Sequence, residues 1–320
     1  MQLERGSSVT THRTVRRLTV LTALSLIAGE AQSDAPPLKR TEDIPSIQTS
    51  LPEVTVRGQR EALKRRVQAF ISSSIQEPFE QSLARWNRPI CYLVVGLPLD
   101  KDDFVRTRLS EIAASAGAPL APPPCEVNFV VIMTADPSAV MRAWYKRDFH
   151  LFGEATENRI NKWLETPRAV RVWHNIQSES AGEAPYVTAA PGLGLGAPPP
   201  GVSIPFDNFA EASHTVFNSV RTFTSVIIAI DSGRAAGIDL KQLADYAAMV
   251  GLAQIQLDAA LEDTPTILRL FSTAGGASAV GLSDWDSAFL KAIYETSQKD
   301  KLQRASIAQS MVYHLAPAPP

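Results

Sequence analysis

The chain has little cysteine, little histidine and almost no excess charge, and each shortage excludes a class of function. Only two cysteines and five histidines occur among its 320 residues, and two cysteines alone cannot supply the four ligands of a structural zinc site. The 31 basic residues nearly balance the 33 acidic ones, so no basic stripe predicts a nucleic-acid partner. Past the N-terminal region, no apolar run is long enough to predict a membrane span.

The N-terminal region has the features of an export signal. A basic segment precedes 18-LTVLTALSLIAG-29, an apolar run too short to span a bilayer, and small residues suited to cleavage follow it. This order predicts a signal peptide over 1–31, with cleavage near 31–33, and a periplasmic or secreted mature protein. The alternative is that the apolar run forms a buried core helix.

Export changes how the two cysteines are interpreted. Cys91 and Cys125 each lie at the predicted start of a strand, 90–97 and 125–134. Because disulfides persist in oxidising compartments, we expect these two residues to be bonded to each other. Two buried free thiols are the alternative.

Helical and strand patterns alternate along the rest of the chain. This order predicts one α+β domain (α/β-like) over 59–316, with a mixed sheet and packed helices. A Pro- and Gly-rich loop over 180–203 interrupts it and is a candidate lid or binding loop. The predicted helices are 60–84, 102–117, 136–147, 154–165, 240–250 and 282–294, and the later strands are 168–178 and 219–230.

A flexible leader is predicted over 32–58, since its start is polar and has no hydrophobic period. At its end, 53-EVTVRGQRE-61 is similar to the short segment that opens the plug of many TonB-dependent outer-membrane receptors. No barrel can follow, because the remaining chain contains several clear helices. We expect 53–61 to form a short edge strand that leads into a helix, although recruitment of an envelope partner through 53–60 is another interpretation.

The stretch 239-DLKQLADYAAMVGLAQ-254 predicts a helix that ends at a glycine. It resembles the active-site helix of metzincin-type zinc peptidases, H-E-x-x-H-x-x-G-x-x-H, in its frame but not in its ligands. In that frame Ala244, Ala248 and Gln254 replace the three histidines, Asp245 replaces the glutamate, and Gly251 is the matching glycine. Alanine cannot bind a metal, and a catalytic zinc needs at least three protein ligands.

Two downstream segments extend the resemblance. In these peptidases a tight turn with a methionine lies under the metal, and here 266-TIL-268 places Leu268 at the methionine position. The segment 282-LSDWDSAFLKAIY-294 is similar to the helix that follows that turn. The first half, around 86–97 and 125–133, also resembles a group of uncharacterised exported bacterial proteins related to zincin-like ones.

These resemblances imply a zincin-like C-terminal half without the metal, and therefore no catalytic residues, metal or cofactor. We interpret the protein as a binding or structural module of the cell envelope that holds an extended peptide or an envelope protein. The small residues of the quoted helix would let it lie close to the sheet. Two alternatives are an ordinary core helix and a hydrolase with a non-standard site that draws on Asp245, His174, His214 or Gln254.

Overall fold

The computed structural model describes residues 53–75, 81–153, 156–180, 219–257, 259, 261, 264–272 and 280–316. The predicted signal peptide and all but Ser180 of the predicted loop 180–203 lie outside this part of the chain. Its α-helices are α1 (Glu53–Ser74), α2 (Leu99–Ala116), α3 (Pro137–Arg147), α4 (Glu157–Glu165), α5 (Leu240–Leu252), α6 (Asp284–Glu295) and α7 (Gln303–Leu315). Its strands are β1 (Tyr92–Val95), β2 (Phe129–Thr134), β3 (Val170–Ser180) and β4 (Ser219–Asp231).

The four strands form one mixed sheet in the order β1-β2-β4-β3. β1, β2 and β4 run parallel, whereas β3 pairs antiparallel with β4 over its whole length. Among the described residues, β1 and β3 are therefore the two edges of the sheet. The predicted α+β class with a mixed sheet is confirmed.

Helices cover both faces of the sheet, and alternation along the strands decides which face each side chain joins. In β2, Phe129 and Val131 enter the main core, which also contains residues of α1, α2, α5, α6 and α7. Ile132, on the opposite face, enters a smaller core with residues of α3 and α4. The runs of Val and Ile in β2 and β4 suit strands buried on both faces.

The prediction of an edge strand over 53–61 is wrong, because α1 already begins at Glu53. The alternation of valines there favoured a strand, but a strand gains its stability only by pairing with a neighbour. The same residues directly precede an amphipathic helix whose Val67, Phe70 and Ile71 are buried. Extending an existing helix by a turn costs little, since only the first turn carries the nucleation penalty.

The predicted disulfide is present between Cys91 and Cys125, whose Cα atoms are 5.9 Å apart. It joins the residue before β1 to the segment that leads into β2, although both strands begin later than expected. Asn128 reinforces this connection, since it accepts a hydrogen bond from the Cys91 amide and donates one to the Pro89 carbonyl. The bond is compatible with an oxidising compartment. Within the described ranges, no helix has the length and apolar character to cross a bilayer.

Candidate functional site

The peptidase-like helix is a core element of the fold. α5 begins at a capping box. The Asp239 side chain accepts hydrogen bonds from the backbone amides of Lys241 and Gln242, and Oε1 of Gln242 accepts one from the Asp239 amide. Every residue of α5 from Leu243 to Leu252 is buried. Ala244 and Ala248, the positions that match two zinc ligands, therefore face packed protein. Both carry only a methyl group and can take no part in chemistry.

Gly251 lies inside α5, so the prediction that this glycine ends the helix is wrong. A Cβ at this position would overlap the ring of Phe129 on β2 and would lie 3.0 Å from Cδ1 of Ile228 on β4. The Gly251 carbonyl also accepts a 2.9 Å hydrogen bond from Nε1 of the buried Trp86. The expectation that small residues let this helix approach the sheet closely is confirmed at this position.

Asp245 is the buried charged residue of α5, and every contact it makes is with a donor. Its Oδ1 accepts from Nε of Arg108 on α2 at 2.6 Å, and its Oδ2 accepts from Nζ of Lys241 at 2.9 Å and from the Leu282 amide at 2.8 Å. Burial by itself would raise the pKa of Asp245, but these bonds outweigh it and hold the pKa below its ordinary value. A carboxylate held in this way is a poor general base, since both its oxygens are occupied by cations or amides.

The loop that leads into α6 is fitted to this carboxylate. A Cβ on Gly281 would come within 2.8 Å of Asp245 Oδ2 and would also meet the Lys241 ammonium group. Only glycine therefore allows the chain to approach closely enough for the Leu282 amide to donate to Asp245. The structural role of Asp245 is to join α2, α5 and the start of α6.

The segment that resembles the peptidase turn packs against α5. Thr266 caps a short 3₁₀ helix, Ile267–Phe271, by accepting from the Leu268 amide. The Phe271 ring lies 5.0 Å from that of Tyr246 on α5, in an edge-to-face arrangement. Leu268 is partly buried against the main core.

Asp286 of α6 holds this turn in place. It accepts hydrogen bonds from Thr266 Oγ1 at 2.5 Å and from the Ile267 amide at 2.9 Å, and it also completes the capping box with Ser283. Burial raises the pKa of Asp286 in spite of these bonds. The turn at Thr266 and the helix α6 that follows it are therefore in direct contact.

Among the described residues, His174 and Gln254, two other candidates for a non-standard catalytic site, form no hydrogen bond with Asp245. Gln254 follows α5, and its buried Oε1 has no hydrogen-bond partner within the described part of the chain. The His174 ring donates from Nε2 to the Val250 carbonyl and stacks on Phe223, and its removal from water lowers its pKa to about 4. His214 lies outside the described residues, and within them no three His, Cys, Asp or Glu side chains could hold a metal ion.

Two concavities in the described part of the chain are small. One, lined by Ala244 and the apolar ends of β2 and β4, has a volume of about 10 Å³, room for at most a single water. The other, beside the start of α7, has about 140 Å³. Both lie below the range of about 300–1,000 Å³ that small-molecule sites usually have.

The edge strand β3 is a feature whose importance the sequence did not indicate. Its eleven residues pair with β4 on one side only, within the described ranges. Asn175 of β3 donates to the carbonyl of Leu151 in the 3₁₀ helix Phe149–Phe152, and so fixes that helix beside the strand. In this helix Phe149 is 54% exposed and Leu151 is 40% exposed. The signal that could have revealed them is the run 149-FHLF-152, which places three large apolar residues in an otherwise polar connection.

No family model matches this chain, and neither does any curated protein or any solved structure. No relative therefore assigns it a fold family, a ligand or an activity. The resemblance to zinc peptidases rests on its own residues between the start of α5 and the end of α6.

Proposed function

We propose that this chain is an exported, non-catalytic binding module of the cell envelope that holds an extended peptide at the edge of β3. Its α5–α6 region is a zinc-peptidase-like scaffold whose metal site has been replaced by packed core. The observation that supports peptide binding is the eleven-residue strand β3, which is paired on one side only within the described residues. Export is supported by the signal-like N-terminal pattern and by the Cys91–Cys125 disulfide.

The residues at the motif positions of α5 support a non-catalytic role. Ala244 and Ala248 are buried without donor atoms, and Asp245 is bonded to Arg108 and Lys241. The order of elements supports the peptidase-like scaffold. Helix α5, the turn at Thr266 and helix α6 follow one another in the chain and are in contact. Each replacement removes one requirement of zinc chemistry while the packing around it stays intact.

Purified protein should contain no stoichiometric zinc. Elemental analysis after purification without chelators would measure this, with a zinc peptidase prepared in parallel as a positive control. One zinc per chain would overturn the non-catalytic interpretation, because three ligands would then have to come from side chains other than those of the motif.

An edge strand binds an extended peptide through its outward-facing backbone groups. In an antiparallel edge strand, alternate amides point away from the paired neighbour and remain available. Beside β3 the exposed Phe149 and Leu151 offer apolar contact, so the peptide we expect is extended and carries at least one apolar side chain. Backbone pairing would supply affinity and the apolar contact would supply selectivity.

Hydrogen exchange on the free protein tests whether the edge is open. Amides of residues 170–180 should fall into two alternating classes, those paired with β4 exchanging slowly and the others quickly. A peptide selected from a displayed library against the purified protein should slow the fast class. Uniform protection of β3 in the free protein would show that the edge is already covered, and the proposal would then be wrong.

Substitutions test the apolar contact. Phe149→Ser with Leu151→Ser should weaken binding of the selected peptide by at least about tenfold, since two apolar side chains leave the contact. Leu99→Ser is the matched control, because Leu99 is more exposed and lies on α2, which contacts the opposite edge strand β1. Equal effects from both changes would place the peptide elsewhere.

A further inference from the structure

The first helix carries a concentration of positive charge. Between residues 57 and 66 the sequence 57-RGQREALKRR-66 has five basic residues and one acidic residue, in a chain that is otherwise slightly acidic. Arg60, Lys64 and Arg65 are exposed on α1. Within the described residues they form no ion pair and no hydrogen bond with another side chain.

The following turns of α1 explain how the helix is held to the fold. Val67, Phe70 and Ile71 are buried in the main core, and the Phe70 ring packs edge-to-face against Trp285 and Phe289 of α6. Arg66 lies over the Trp285 ring, with its guanidinium carbon 5.0 Å from the ring centroid. The helix is therefore fixed to the core through residues 66–71, whereas the exposed Arg60, Lys64 and Arg65 precede that part.

The shape of this surface selects an extended partner over a small one. The basic segment covers ten residues of a convex helix, about 15 Å in length, and offers no cavity that could enclose a single anion. A flat anionic surface can approach several of these side chains at once. Each cation near an anionic bilayer increases partition by up to about fivefold.

We propose that the exposed cations in the N-terminal half of α1, Arg60, Lys64 and Arg65, dock this protein on a bilayer that contains anionic lipid. The choice of a membrane partner rests on the export proposed above, whereas peptide binding at β3 involves a different element. Because the apolar side of α1 stays in the core, the contact is electrostatic and peripheral, with no insertion of the helix. Binding should therefore weaken steeply as salt rises from about 0.1 M to about 0.5 M, where screening lengths become shorter than a helix diameter.

Vesicle flotation tests this proposal. The purified protein, with its N-terminal residue determined so that an uncleaved apolar segment is not the anchor, should float with vesicles containing phosphatidylglycerol and not with phosphatidylcholine alone. The variant Arg60→Gln, Lys64→Gln, Arg65→Gln should reduce partition by between about tenfold and about a hundredfold. Its circular dichroism and thermal unfolding should stay unchanged, since all three side chains are exposed.

The matched control removes three exposed cations from α3, on the other face of the sheet: Arg142→Gln, Lys146→Gln, Arg147→Gln. It should reduce partition by less than about threefold, the effect of overall charge alone. Equal losses in both variants, or binding that is insensitive to salt, would overturn the proposal. Full vesicle binding by the α1 variant would do the same. Because β3 is unchanged in all of these proteins, peptide binding at that edge can fail or succeed independently.

Discussion

Replacing Asp245 by alanine should lower the free energy of unfolding by about 2–4 kcal/mol, slightly less than the roughly 3–5 kcal/mol for a fully buried ion pair, because the Arg108 side chain is 25% exposed. The carboxylate is fully buried, so its loss leaves Nε of Arg108 and the Leu282 amide without their acceptor, although Nη1 of Arg108 keeps its bond to Glu111. Lys241 contributes little to this cost, because its side chain is 47% exposed and water can replace the lost contact. Chemical denaturation monitored by tryptophan fluorescence measures the change.

The relative destabilisation by three alanine substitutions tests whether the buried ion pair is the cause of the loss. Arg108→Ala should cost less than Asp245→Ala, and Lys241→Ala less again, at about 0–1 kcal/mol for an exposed ion pair. Asp103→Ala on α2 is the matched control, since its ion pair with Arg106 is exposed. If Asp245→Ala abolished an enzymatic activity without lowering stability, the structural role assigned to this residue would be wrong.

The difference in unfolding free energy between the wild type and Asp245→Ala should also depend on pH. The pKa of Asp245 lies below its ordinary value of 3.8, because its bonds to Arg108, Leu282 and Lys241 outweigh burial. Its contribution to stability is therefore complete above that value and is lost as pH falls through the lower pKa of the folded state. The gap between wild type and Asp245→Ala should thus be constant near neutrality and should narrow below about pH 4.

Removing the disulfide should be the second large loss, about 3–4 kcal/mol in the chain-entropy description. The two cysteines are 34 residues apart, so the bond closes a long loop of the unfolded chain around α2. Cys91→Ala with Cys125→Ala should lower the unfolding free energy by this amount, and a reducing agent should lower the melting temperature of the wild type similarly. The reducing agent should not affect the double variant, which serves as the control. Equal stability of the wild type in both redox states would contradict the expectation.

The likeness of α5–α6 to a zinc peptidase stays a prediction. In the structure Thr266 contacts Asp286 of α6, and the 3₁₀ helix that Thr266 caps contacts α5 through Phe271 and Tyr246. Sequence spacing could not reveal that Asp245 is bonded to two cations, Arg108 on α2 and Lys241 on α5. Arg108 is 137 residues away in the chain, and only folding brings it within hydrogen-bonding distance.

What the sequence determined by itself is local. Periodicity predicted the alternation of helices and strands, and the predicted export signal led to the prediction that Cys91 and Cys125 pair. Such features depend on neighbouring residues or on the compartment, so a linear pattern contains them. The first turns of α1 were mistaken for a strand because alternation there was weak evidence without a pairing partner.

Only the tertiary structure decided which surfaces are open and which are closed. Whether Ala244 and Ala248 face a groove or a core depends on how α2 and the sheet pack around α5, and that packing closes them. Whether β3 is an edge depends on the order β1-β2-β4-β3, which places the third strand in sequence outermost. Burial and strand order arise from contacts between distant segments, and no local pattern of residues encodes them.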